Sequence, residues 1–343
     1  MYNLGAGEAS ASAEKRAVEG IYTEAAQTAC QLFSGDVEYE GMNNIAYLNQ
    51  HPNEVVEVDP ALYEAFELLN RSGVRLQYLG PAYEIYNGIF RCVEDYQTVD
   101  YDPYQNADLR RYFSQTAAFA ADPGAVEMEL LGENKVRLKV SQAYMQFAQE
   151  NEIACFVDLY WMKNAFIADY TAQRLADGGY TRGVLSSYDG FVRNLDVSAD
   201  AGFEMYLFDR KDAAVYPAAV MQYRGPRSIV YLKSYPAANQ DMLHYYKMEN
   251  GDFRVPYLNL ETGLPGTSVG SLASYSASAG CAEVLLRVVP AFVGEEFSEE
   301  EILALAKDGI DSVWTEDGVL RYTESGLALN EVHPDETVLS AAE

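Results

Sequence analysis

Residues 156–196 read FVDLYWMKNAFIADYTAQRLADGGYTRGVLSSYDGFVRNLD, and the fold is read outward from them. The apolar run from Ile153 to Leu159 is short and partly β-branched, which predicts a buried strand. Ala165, Phe166, Ala168, Tyr170, Leu175 and Ala176 then recur at three- and four-residue steps, the spacing of one helix face. Gly178 and Gly179 end that helix, because glycine takes the left-handed conformation a helix C-terminus needs. A second strand is expected from Gly183 to Ser187, before a turn at Asp189-Gly190. Strand, helix, strand would hold the loop from Tyr160 to Asn164 over the end of a sheet, where ligands commonly bind. That loop is Tyr-Trp-Met-Lys-Asn. Without glycine it offers no backbone bare enough to approach a phosphate closely.

Composition narrows the function. The chain has 343 residues, 49% of them hydrophobic and 22% charged, and so is globular and soluble in class. There are 52 acidic residues against 24 basic, a formal charge of −28, which repels polyanions. The basic pairs Arg110-Arg111 and Arg210-Lys211 are too short to offset this, so no nucleic-acid partner is expected. Cys30, Cys92, Cys155 and Cys281 lie far apart, as do His51, His244 and His333; neither set has zinc spacing. Buried free thiols in a reducing compartment are the expectation. No apolar run reaches membrane-spanning length, and the N-terminal residues lack the apolar core of a signal peptide. The reading is cytoplasmic, with no membrane partner.

Residues 1–12 are small and polar, and are expected to be disordered. A helix follows from Ala13 to Leu32. Asp59-Pro60 opens another, with aspartate as cap and proline in the first turn, and it stops at Gly73. Helix is also expected from Asp108 to Ala121, and a hairpin from Val126 to Val140. Strands are expected at Phe203–Phe208, Ala213–Met221, Ser228–Leu232, Val255–Leu260 and Ser268–Ala273, with a helical insert from Gln240 to Lys247. A helix from Ala279 should stop at Pro290. Ser298 caps the next one, with Glu301 three residues on. Strands then flank an Asp317-Gly318 turn. The domain is drawn at 13–329, with a tail at 330–343. Helices and strands mix without strict alternation, so the class is α+β.

The order of these pieces resembles the ApbE family, the FAD:protein FMN transferases, from about Leu32 to Leu329. Phe33-Ser34 and the asparagine-bearing run 43–49 resemble the family's first segment. Val56-Glu57-Val58-Asp59-Pro60-Ala61-Leu62-Tyr63 matches its "V-x-V-x-P-x-L-Y" pattern. Residues 82–90 stand for "G-A-F-D-P-T-V-G-P-L" and keep Gly88. In "L-D-L-G-G-I-A-K-G-Y-A-V-D", Val157, Asp158, Leu159 and Asp169 match, and residues 160–165 replace the glycine-rich core. In "H-I-I-D-P-R-T-G-R-P", Thr262, Gly263 and Pro265 match, while Pro256 stands for the histidine and Asn259 for the aspartate. In "A-D-A-L-A-T", Glu283 stands for the aspartate and Arg287 for the threonine.

The resemblance implies a T-fold-related α+β body, single and compact, with an antiparallel-rich sheet. It also implies FAD and magnesium as cofactors, FAD being split at its pyrophosphate and FMN passed to a protein hydroxyl. It places Tyr83, Glu84, Tyr86, Tyr160, Trp161, Lys163, Thr262 and Gly263 around the flavin nucleotide, with Glu283 as the metal ligand. Glu283 still has a carboxylate, but the Arg287 guanidinium has no acceptor and stays charged. A second cation, Lys163, enters the loop, and two cations repel a metal ion. The expectation is therefore an eroded, catalytically inactive site serving as a binding or scaffold module, with no catalytic residue assigned. Two alternatives are an active magnesium-dependent transferase with a rearranged site, and a binder of another small aromatic or nucleotide ligand. Lys163, Glu283 and Arg287 would converge where the ion sits, or Glu283 and Arg287 would pair along their own helix.

Overall fold

A computed structural model describes residues 2–5, 9–197, 202–211, 214–237, 244–316, 318–323, 328–332 and 338–342. In chain order the first elements are α1 (Ala11–Leu32), α2 (Ile45–Gln50), β1 (Val56–Glu57), α3 (Pro60–Ser72), α4 (Gly80–Tyr86) and α5 (Ala107–Ala121). They are followed by β2 (Val126–Gly132), β3 (Lys135–Val140), α6 (Gln142–Glu150), α7 (Lys163–Asp177), β4 (Val184–Ser186) and β5 (Phe191–Asn194). Next are β6 (Gly202–Lys211), β7 (Ala214–Arg224), β8 (Arg227–Lys233), β9 (Tyr246–Lys247), β10 (Phe253–Arg254) and β11 (Ser271–Ser276). The chain ends with α8 (Cys281–Val293), α9 (Glu299–Lys307), β12 (Asp311–Glu316), β13 (Val319–Tyr322), β14 (Ala328–Glu331) and β15 (Val338–Ala341). The mix of helix and mostly antiparallel sheet is the α+β class the sequence predicts.

Two units divide the chain. One contains Met1–Gln27, Asn164–Met242 and Thr267–Glu343; the other contains Thr28–Lys163 and Leu243–Gly266. In the first unit a seven-stranded sheet runs in the order β15-β13-β12-β11-β8-β5-β4. All its pairs are antiparallel except β13 with β15. A smaller sheet, β14-β7-β6, is built on the long β6–β7 hairpin. Leu207, Met221, Ile229, Tyr231, Tyr275 and Val313 form a shared buried cluster. α8 is apolar on nearly every side: ten of its residues are buried, leaving Glu283, Arg287 and Pro290 out of that set. In the second unit α2 to α6 accompany the sheet β1-β3-β2 and the ribbon β9-β10. Phe66, Tyr78, Tyr83, Phe113 and Tyr144 fill its core.

Several local expectations meet their structures. Asp59 caps α3, its side chain accepting from Ala61 N–H, and Gly73 ends it at φ +73°. Ser298 caps α9, accepting from Glu301 N–H. Others are corrected. Residues 153–159 form no strand: Phe156, Val157 and Leu159 are buried, but the run joins no sheet and Leu159 already has helical dihedrals. Pro290 lies inside α8 rather than ending it. The chain from 255 to 260 is looped, with the strand displaced to β10 and one bridge joining Leu258 to Pro265. Around and beyond residue 330, where the sequence reading places a tail, Ala328–Glu331 and Val338–Ala341 form β14 and β15. Near the other terminus Tyr2 bridges to Gly183, and α1 starts at Ala11. The expected insert from 240 lies partly outside the described residues, and its described end carries β9. Asp317 of the expected turn lies outside them as well.

Candidate functional site

In the second unit the loop ahead of α7 rests on a side chain rather than a sheet. Asn49, at the end of α2, is buried. Its Oδ1 accepts from the N–H groups of Phe156 and Val157 at 3.0 and 2.9 Å. Its Nδ2 donates to the carbonyls of Val157 and Gly35 at 2.9 and 3.2 Å. One amide thus supplies bonds a neighbouring strand would otherwise provide. On the other side Asp158 N–H donates to the Gln77 carbonyl at 2.8 Å. Gly80, at the start of α4, lies so close that a Cβ there would stand 3.0 Å from the Cys155 carbonyl.

The run ends at Tyr160, whose φ of +44° falls in the left-handed region that favours glycine. In the aligned motif this position is the first glycine after "L-D-L". A tyrosine thus holds a backbone conformation that glycine favours. Asp158 Oδ1 accepts the Tyr160 N–H at 2.8 Å and so helps fix the turn. The Tyr160 ring stacks on Tyr83, with centroids 4.8 Å apart, and its hydroxyl donates to Asn87 Oδ1 at 3.0 Å. Trp161 is buried and meets Tyr257 edge-on at 4.8 Å. Tyr83 and Tyr86 are fully buried, whereas Glu84 on the same helix is exposed. Burial pushes the Tyr83 phenol well up.

Asp158 carries the main electrostatic tension of this loop. Burial raises its pKa; the Tyr160 N–H and Lys163 lower it, and Asp36 and Glu84 raise it. The Gly35 backbone lies against the carboxylate, since a Cβ there would stand 2.9 Å from Oδ1. Thr262 and Gly263 belong to a separate turn organised by Asn259. The Asn259 Oδ1 accepts from the N–H groups of Glu261 and Thr262 at 2.8 and 2.9 Å and from the Thr262 hydroxyl at 3.2 Å. Gly263 has φ +72°, and a Cβ there would meet the Phe113 carbonyl at 2.5 Å. The sequence reading did not single out Arg254, whose guanidinium reaches the fully buried Asp102 at 2.8 Å. Nothing in the local pattern marks that pair, because the partners are 152 positions apart.

In the first unit the matched aspartate, Asp169, caps α8. Its carboxylate accepts from the N–H groups of Cys281 and Ala282 at 2.9 and 2.8 Å. Arg193 lies 3.2 Å from the same carboxylate. Gly280 makes room, since a Cβ there would stand 2.5 Å from Asp169 Oδ2. Burial raises the Asp169 pKa against the pull of Arg193 and the two N–H groups, and Glu283 adds to the rise. Glu283 sits in the first turn of α8. Arg287 turns to Asp308 at 2.5 Å rather than to Glu283. Lys163 belongs to the other unit. Among the described residues no group of three His, Cys, Asp or Glu side chains is arranged to hold a metal ion. No described helix is long and apolar enough to cross a membrane.

No protein-family model matches the chain, and no curated protein does. Solved structures do. The flavin transferase ApbE from Vibrio cholerae superposes with a TM-score of 0.61 at 12% identity, over 96% of this chain and 91% of that one. The ApbE protein of Thermotoga maritima gives 0.57 at 14% identity, over 93% and 90%. The flavinyl transferase ApbE of Pseudomonas stutzeri, in its apo form, gives 0.55 at 11%, over 96% and 89%. The chain therefore has the ApbE fold along nearly its whole length.

Proposed function

We propose that this chain is a binding module built on the fold of the flavin transferases, without their FMN transfer. The observation that carries the reading is Tyr160. It holds a left-handed backbone, the conformation glycine favours, at the position where the sequence resemblance puts a glycine, while its ring lies on Tyr83. Phosphoryl chemistry on such a loop needs bare backbone donors near the phosphates. Here the Tyr160 N–H is taken by Asp158, and side chains occupy the surface glycine would leave open. The metal position departs as well, in the other unit. A magnesium ion needs oxygen donors in near-octahedral array. The chain offers Glu283 but places a guanidinium four residues on, held by Asp308. The Asn259 amide oxygen, where the family has an aspartate, is spent on its own turn. The donor set does not fit the ion.

The test is direct. The purified chain is incubated with FAD, with and without magnesium, and bound flavin and released nucleotides are measured. The expected outcome is a colourless protein and no magnesium-dependent formation of FMN and AMP. A yellow preparation, or release of FMN and AMP on adding magnesium, would overturn the reading in favour of a working transferase.

A further inference from the structure

In the second unit the segment from Val93 to Asp100 turns its polarity inside out. Val93 at 80% and Tyr96 at 75% are two of the three most exposed large apolar side chains among the described residues, and Val99 follows at 41%. Thr98, which lies between them in the chain, is fully buried. Asp95–Asp100 is a 3₁₀ helix, in which residues three apart eclipse, so Tyr96 and Val99 share one face. Single exposed apolar residues are ordinary on a protein surface, whereas a group of them marks an interaction site.

Polar groups turned inward fix the frame beneath this stripe. Gln97 Oε1 accepts from the Val93 and Glu94 N–H groups at 2.7 and 3.1 Å. The Thr98 hydroxyl donates to the Asp95 carbonyl at 2.7 Å and accepts from the Gln105 amide at 2.6 Å. Asp95 accepts from the Tyr246 hydroxyl at 2.8 Å and from the Glu249 N–H at 3.0 Å, which ties the segment to β9 and the turn after it. Tyr101 lies against Gly88, where a Cβ would stand 2.2 Å from the ring. A surface ordered in advance loses less entropy on binding. Among the described residues none stacks on the Tyr96 ring or bonds its hydroxyl.

Charge narrows the occupant. Segments 91–100 and 247–252, joined by Asp95, carry five carboxylates, Glu94, Asp95, Asp100, Glu249 and Asp252, against the two cations Arg91 and Lys247. Two copies joined stripe to stripe about a two-fold axis would bring the same carboxylates together, on chains that each carry −28. A cationic partner meets no such repulsion. A guanidinium stacks on an aromatic face while its N–H fork bonds carboxylates, and the bare Tyr96 ring offers that face. We propose that this stripe docks a segment of a partner protein that carries arginine next to an apolar side chain. The guanidinium lies on Tyr96 among the Glu94 and Asp100 carboxylates, and the apolar neighbour covers Val93 and Val99. No residue of the Tyr160 loop takes part, so the proposal holds or fails independently of the reading above.

The probe is a phage-displayed library of random peptides, selected on the full chain and counter-selected on Tyr96→Ser. Enriched peptides are synthesised with a fluorescent label and titrated by anisotropy. They are expected to carry arginine beside an aliphatic or aromatic residue. Val93→Ser and Asp100→Lys should each weaken their binding about tenfold or more, and rising salt should weaken it as well. Tyr188→Ser, which removes an equally exposed tyrosine in the other unit, should leave it unchanged. Because Val93 and Tyr96 are so exposed, the serine variants should unfold in urea at the wild-type midpoint; Val93→Ser replaces Tyr96→Ser in the counter-selection if the latter does not. Failure to enrich any sequence, enrichment of peptides without a basic residue, or equal weakening by Tyr188→Ser overturns the proposal. So does self-association in sedimentation that Tyr96→Ser abolishes, which would assign the stripe to a second copy.

Discussion

At Tyr160 two local terms oppose each other. A non-glycine residue in the left-handed region costs about 1–2 kcal/mol, yet the ring is stacked and its hydroxyl is bonded. Tyr160→Gly removes both the strain and the ring, whereas Tyr160→Ala removes the ring and keeps the strain. Urea unfolding should therefore rank wild type above glycine, and glycine above alanine by about 1 kcal/mol. Glycine more stable than wild type would show that the ring contributes less than the strain costs. Asp158, two residues earlier, has a folded pKa raised chiefly by burial. A carboxyl raised on folding binds its proton more tightly in the native state. Unfolding then releases a proton across the interval above the ordinary carboxylate value, and stability falls as pH rises through it. Asp158→Asn should flatten that fall. An unchanged slope in stability against pH would remove Asp158 as its source.

At the scale of elements, legibility tracked how local the decisive interaction is. Asp59-Pro60 and Ser298 mark helix starts because cap and capped N–H lie within three residues. The run 153–159 misleads because its apolar, β-branched pattern suits a strand, while its hydrogen bonds come from Asn49, more than a hundred positions away. Pro290 misleads for a different reason. α8 continues past it, placing Ala291, Phe292 and Val293 in the core, and Ser268 bonds the Ala291 and Phe292 carbonyls. Around the candidate site, the burial of Tyr83 and Tyr86 and the pairing of Arg287 with Asp308 were not legible, because both depend on contacts far along the chain. The Asn49 argument has a direct test. Asn49→Leu keeps the volume but strands two N–H groups and two carbonyls in a buried setting. Unpaired buried groups cost about 1–3 kcal/mol each, so the variant should lose at least about 3 kcal/mol in urea unfolding. A loss below about 1 kcal/mol would mean that water replaces the amide and that the loop is not held as described.

At the scale of the whole molecule the dominant fact is charge. A formal −28 on 343 residues leaves carboxylates repelling one another over the surface. The strongest described ion pairs do not offset this. Arg254–Asp102 is buried and each partner is committed locally, and Arg193–Asp169 is likewise half-buried. Screening reaches exposed charges far more than buried pairs, with a Debye length near 10 Å at about 0.1 M salt. Adding sodium chloride should thus relieve the surface repulsion and leave Asp102 and Asp169 nearly untouched. Thermal unfolding followed by intrinsic fluorescence should move upward by about 2–4 °C between low salt and roughly 0.2 M, the shift that about 1 kcal/mol produces in a unit of about 150–250 residues. Because the chain has two units, the curve is read for two transitions as well as one. An unchanged or lowered midpoint would mean that surface ion pairs, not repulsion, dominate its electrostatics.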